Sequence, residues 1–443
     1  MRQDNFKGTL SDCESFTFTK KDLFLRLELK VSQTRLKKLT NKRPDKNALN
    51  QNMKKQTKAI HTPFRLKDPY GSLAMPVYHT AAYEFDNAAQ MADAFCGRIP
   101  MPDYSRVMNP TVTFFEDKVK ALTNAHDAIA FNSGMAAIAN TLLALTSQGK
   151  SIVTSRHLFG NTFSLICGTL LRFGIKPILC DLTNIQEVEN AIDDNTACIF
   201  LEIITNPQLE VADLQALANI AHLRKMILVA DTTVIPFTQF NAHAFGVDIE
   251  VVSSTKYLSG GATTLGGLVI DYGTNPNFSK CIRNEMLFNL GAYMTPHAAY
   301  MQTLGLETLD ARYNVQAANA QILAEQLQTL PQINKVNYVG LPENPFYQLA
   351  KKQFGPTAGA MLTIDLQDQE SCFRFINKLK LIRRATNLFD SRSLAIHPAS
   401  TIFGLFSQRE KQRMDVLDTT IRLSIGLEHP DDLFQDIQQA LRP

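Results

Sequence analysis

The chain has 443 residues, of which 45% are apolar and 20% charged, and its formal charge is +3. That length and balance suit two or three soluble domains with ample core. No apolar run approaches the roughly eighteen residues of a membrane span, and no basic-then-apolar signal peptide opens the sequence.

Residues 1–52 hold 12 Lys and Arg against 6 Asp and Glu, whereas the other 391 residues hold 33 against 36. The basic excess therefore belongs to an N-terminal extension. It reads as a solvated, poorly ordered tail, or as an upstream stretch ahead of a natural beginning at Met53. A nucleic-acid or anionic-surface role for this tail is the weaker reading, and no nucleic-acid or membrane partner is expected. Residues 53–115 follow as an N-terminal arm.

Residues 116–305 are expected to form a large domain, and from about 120 to 270 helical patterns alternate with short apolar runs. "AIAFNSG" (128–134) reads as strand and turn, and "MAAIANTLLAL" (135–145) as a compact helix. "SIVTS" (151–155), "KPILCD" (176–181), "ACIFLEI" (197–203), "MILVAD" (226–231), "IEVVSS" (249–254) and "GGLVID" (266–271) read as strands. Near-continuous apolar strands alternating with helices predict an α/β fold with a mostly parallel sheet covered on both faces. Helices dominate 296–330. A smaller α/β region closes the chain at 306–443, with strands in "GAMLTIDL" and "IRLSIGLE". The cysteines (Cys13, Cys96, Cys167, Cys180, Cys198, Cys281, Cys372) are odd in number and form no CxxC pair. Reduced thiols in a cytoplasm are expected, and no metal site.

Open α/β sheets bind ligands beyond the carboxyl ends of their strands. Four such ends are chemically unusual here. "MILVAD" closes on Asp231, a carboxylate that needs a cation or donors. "ACIFLEIITNP" closes on Glu202 and then Asn206. "IEVVSSTK" closes on Ser253, Thr255 and Lys256, although burying an ammonium is costly. "AIAFNSGM" leads through Gly134 and Met135 into a helix whose N-terminus suits an anion. An anion cradle, hydroxyls, a carboxylate and a lysine at one edge meet the needs of pyridoxal 5′-phosphate. Its phosphate takes N–H and O–H donors, its ring nitrogen takes a carboxylate, and its aldehyde takes a lysine amine as a Schiff base.

With "YSRVMNPT", "NSGMAA", "ITNP", "DTT", "SSTKYLSGG", "GLETLDAR", "SLAIHPAST" and "RLSIGLEH" in this order, the chain from about Thr57 onward resembles the Cys/Met-metabolism enzymes that depend on pyridoxal phosphate, the cystathionine γ-synthase-like group. The resemblance implies a fold-type I transferase-like architecture. It implies that Lys256 is the catalytic lysine, that Asp231 pairs with the ring nitrogen and that Asn206 meets the ring hydroxyl. Gly134, Met135, Ser253 and Thr255 would hold the phosphate, with Thr233 beside them in "DTT". Phe159 would stack on the ring. Tyr104 and Arg106 would reach the phosphate of a neighbouring subunit, in a dimer with shared sites within a tetramer. Arg422 would clamp the substrate α-carboxylate, and Asn387 belongs to the substrate side.

Against the family pattern, Phe159-Gly160-Asn161-Thr162 stands where a tyrosine opens the motif. Ile402 and Phe403 replace Thr and His, and Phe389 replaces a glycine. The cofactor side reads as intact and the substrate side as more apolar. The main expectation is γ-replacement on an O-acylated homoserine by sulfide or a thiol, as in O-acetylhomoserine sulfhydrylases. The alternatives are a methionine or cystathionine lyase and, in another class, a cofactor-binding protein with little catalysis.

Overall fold

The computed structural model describes residues 53–63 and 68–442; the basic segment 1–52 lies outside them. Seven strands form the large sheet: β1 (Asp127–Phe131), β2 (Ser151–Ser155), β3 (Lys176–Cys180), β4 (Thr196–Glu202), β5 (Ile227–Asp231), β6 (Ile249–Val252) and β7 (Gly267–Asp271). Their order is β1-β7-β6-β5-β4-β2-β3. Neighbours from β6 to β3 run parallel, as β-α-β crossovers require. β7 alone runs antiparallel to both its neighbours. The mostly parallel expectation holds, with β7 as the exception. Fourteen residues, Ser253 to Gly266, join β6 to β7 and contain a single short turn of helix; the chain folds back through them, so that β7 pairs antiparallel with β6.

Apolar residues fill both faces of this sheet. Every residue of β2, β6 and β7 is buried. Ile138 and Leu142 of the helix Gly134–Leu145 close one face; Phe115, Val119 and Leu217, from helices Pro110–Thr123 and Leu214–Leu223, close the other. Each fully buried aliphatic or aromatic side chain contributes about 1.5–3 kcal/mol. Truncating the fully buried Phe200 of β4 to alanine would cost about 3–5 kcal/mol.

A second sheet holds β8 (Lys335–Asn337), β9 (Met361–Asp365), β10 (Arg383–Arg384), β11 (Leu394–Ile396) and β12 (Thr420–Ser424), in the order β10-β11-β12-β9-β8. Its central strand β12 alternates apolar residues with Arg422, which sits opposite Ile396 and Thr363.

Candidate active site

β4 and β5 are paired in register, with Glu202 opposite Asp231 at their carboxyl ends. β6 ends one strand further along the sheet and passes through Ser253 and Thr255 to Lys256. These ends, the helix start at Gly134 and the second sheet enclose a cavity of about 350 Å3. Gly134, Met135, Phe159, Asn206, Asp231, Thr233, Ser253, Thr255, Lys256, Asn387 and Arg422 all line it. Tyr104 and Arg106 do not. Arg106 instead gives Nη1 to the carbonyl of Phe288 and lies over the half-exposed Tyr104 ring at 5.5 Å.

The helix N-terminus is a ready donor pair. Ser133 caps the helix by accepting the Ala136 N–H on its hydroxyl, at 3.1 Å, and the Ala137 N–H on its carbonyl. The amides of Gly134 and Met135 have no partner in the helix itself. Glycine is needed at 134 because a Cβ there would fall 2.7 Å from Ser253 Cβ. The bare backbone thus lies directly against Ser253. Thr233 Oγ1 accepts the Ser253 N–H at 2.8 Å and fixes that turn. The Thr255 hydroxyl is already engaged, accepting from Gly266 N at 3.0 Å and donating to Gly266 O at 3.1 Å.

Asp231 accepts the Thr233 N–H at 2.9 Å, and burial pushes its pKa up, against the pull of that bond and of Lys256. Lys256 donates its Nζ to Asn387 Oδ1 at 2.9 Å. Burial, helped by the charge of Arg422 and opposed by Asp231, lowers the lysine to about 8. A neutral amine is therefore accessible near neutral pH, as a nucleophile or proton carrier requires.

Arg422 is buried in β12 and pays for its place with few partners: Nη1 donates to Asn206 Oδ1 and Nη2 to the Asn387 carbonyl, both at 3.1 Å. Its buried Nε has no partner among the described residues, and no carboxylate there pairs with it. Burial pushes the guanidinium down to about 9. A buried cation without a counter-ion is costly unless a ligand supplies one. The free Nε, the two open helix amides and the buried Asp231 fit the donor and acceptor demands of pyridoxal phosphate with an amino-acid carboxylate.

The apolar substitutions divide into two kinds. Phe159 and Ile402 line the cavity. Phe389 and Phe403 do not, so only two of the four substitutions make the cavity wall more apolar. Phe389 is buried away from the cavity, with its ring stacked on Tyr257 at 4.1 Å. Its φ of 57° explains why a glycine suits that position. Phe403 packs with Ala399, Met414 and Val416 in a separate small core. Glu202 also lines the cavity. Its place at the end of an apolar strand was a signal as strong as that of Asp231, but it carried no assigned role.

Among the described residues, no helix is long and apolar enough to cross a membrane, and no cluster of three or more His, Cys, Asp or Glu could hold a metal ion. The family described as Cys/Met metabolism PLP-dependent enzyme matches residues 56–442. An L-methionine gamma-lyase of Fusobacterium nucleatum subsp. nucleatum is 37% identical, over 87% of this chain and 97% of its own. A solved structure described as an O-acetylhomoserine (thiol)-lyase of Campylobacter jejuni subsp. jejuni, carrying a pyridoxyl-lysine monophosphate, superposes with a TM-score of 0.84. It is 34% identical, over 88% of this chain and 100% of that one. An O-acetylhomoserine sulfhydrylase of Wolinella succinogenes is 42% identical, over 76% of this chain and 99% of its own, with a TM-score of 0.68.

Proposed function

The chain belongs to the Cys/Met metabolism PLP-dependent enzymes, and from that premise we propose that it replaces the acyloxy group at Cγ of an O-acylated homoserine with sulfide or a thiol, the acyloxy group leaving as a carboxylate. When bound, pyridoxal phosphate supplies an aldehyde that engages amines and a ring that accepts the electron pair left at Cα. The protein would do the rest. The amides of Gly134 and Met135 and the Ser253 hydroxyl would hold the phosphate, Asp231 the proton of the ring nitrogen, and Asn206 the ring hydroxyl. Arg422 would take the α-carboxylate, which fills its open Nε and supplies its counter-charge. The Lys256 amine would take the Cα proton and return it further along the substrate. Phe159, Ile402 and Leu265 would keep water out.

The observation that carries the choice of reaction is Phe159 in the cavity wall. A thiolate leaves well only if it is protonated, because its acid has a pKa of about 8.5, whereas a departing carboxylate comes from an acid of about 4 and needs no proton. A wall of carbon where the family offers a phenol therefore favours acyl leaving groups. The second reading, elimination from methionine, draws on the similarity to the Fusobacterium lyase. Two of the four substitutions that argued for a cofactor-binding protein with little catalysis do not touch the cavity, and this weakens that alternative.

O-acetylhomoserine, O-succinylhomoserine and methionine, each offered with and without sulfide, separate the readings. Homocysteine from the acylated substrates, with little keto acid from methionine, is expected; keto acid and thiol from methionine at a comparable rate would favour the lyase. Phe159→Tyr should raise methionine elimination selectively.

We place Tyr104 and Arg106 in the site of a second copy of this chain. Both lie outside the cavity of their own chain. The arm that carries them exposes Tyr70, Leu73 and Phe95, apolar surface that a partner would cover.

A further inference from the structure

We propose that Glu202 is a positioning residue of this site, whose two carboxyl oxygens set the places of Phe159 and of the Asn206–Arg422 pair. Oε1 accepts the backbone N–H of Phe159 at 2.6 Å, and Oε2 that of Asn206 at 3.2 Å. Asn206 in turn holds Arg422 through Oδ1 at 3.1 Å. One buried side chain thus links the loop bearing the aromatic wall to the residues of the anion clamp. Asp231 already offers a carboxylate at the neighbouring strand end, so a second is not needed for a ring nitrogen. Paired in register on parallel strands, the two side chains share a face of the sheet, and their charges repel.

Burial and Asp231 push Glu202 up to about 8, while the two N–H donors pull it down. Retaining a carboxyl in so unfavourable a place is understandable if two donors must be met at once. A glutamine could not do this, because it has one acceptor oxygen and would turn an NH2 group towards the other N–H.

The inference rests on the cofactor reading, and the test separates the two. Apoprotein of wild type and of Glu202→Gln is titrated with pyridoxal phosphate, following visible absorbance and visible circular dichroism, and KM for O-acetylhomoserine is then measured. Absence of binding by wild type would defeat the cofactor reading itself. If Glu202 positions the site, Glu202→Gln binds the cofactor about ten- to a hundredfold more weakly, the equivalent of leaving one buried N–H donor unsatisfied. Its dichroism changes and KM rises. In a Phe159→Leu background the same change weakens cofactor binding less, because part of its path is gone. Unchanged affinity, dichroism and KM with only a lower Tm, or full additivity with Phe159→Leu, would overturn the assignment. Should Glu202→Gln not fold, Glu202→Asp, which draws the carboxylate back by one methylene, is read by the same criteria.

Discussion

Arg422 gives Nη1 to Asn206 Oδ1 at 3.1 Å and leaves its buried Nε unpartnered. A guanidinium held in this way lowers the stability of the fold around it, as expected of a residue kept for binding. Arg422→Met should therefore raise stability by about 1–2 kcal/mol, since replacing a poorly compensated buried charge by an apolar group is often stabilising. It should also remove measurable saturation by the amino acid while leaving cofactor binding intact. Urea unfolding and substrate titration check both halves. A large loss of stability would show that Arg422 is a structural keystone.

The lowered Lys256 makes a kinetic prediction. Its neutral fraction rises through about pH 8, not through the ordinary lysine value of about 10.5. The rate at which pyridoxal phosphate attaches to the apoprotein, followed by stopped-flow absorbance, should climb through the same range and level off above it. A rate still rising steeply at pH 10 would contradict the buried setting of this amine.

His157 provides a pH-dependent link between the two sheets' surroundings. Nδ1 meets Glu210 at 2.5 Å, and Nε2 meets Asp415 at 2.9 Å. Burial alone would lower the pKa of this imidazole, but the two carboxylates outweigh it and raise it. The folded state then binds the proton more tightly than the unfolded chain does. The stabilisation is complete below the free value of about 6.5 and is lost as pH rises through the higher folded value. Unfolding free energy should fall over that window in wild type, and His157→Gln should flatten the profile. Equal slopes in the two proteins would show that His157 does not contribute to the pH dependence.

Much of this site was legible because it sits at strand ends. Asp231 and Glu202 each close an apolar run and Lys256 follows one within four residues, and a charge at a buried strand end is unusual enough to stand out. The direction of β7 was not legible from apolar patterning, which looks the same in parallel and antiparallel strands. Phe389 and Phe403 were misplaced for a different reason. They are close in sequence to cavity residues, but the backbone turns between Asn387, which faces the cavity, and Phe389, which stacks on Tyr257. The linkage through Glu202 depends on backbone amides 43 residues before it and four after it, and no local pattern encodes such contacts.

Sharing of sites between chains can be tested by complementation. Arg106→Ala and Lys256→Ala should each be inactive alone. Unfolded together and refolded as a mixture, they should regain part of the activity, because a mixed dimer holds one site with both residues intact. Mixed oligomers verified by mass but without activity would place Arg106 in its own chain's site or away from the cofactor.

Lys256, four residues past the end of β6, should carry the cofactor. Borohydride reduction of the holoprotein, followed by protease digestion and mass spectrometry, tests it directly. A phosphopyridoxyl group is expected on the peptide containing Lys256, and no such adduct in Lys256→Ala. An adduct on another lysine, or an undiminished adduct in Lys256→Ala, would contradict it.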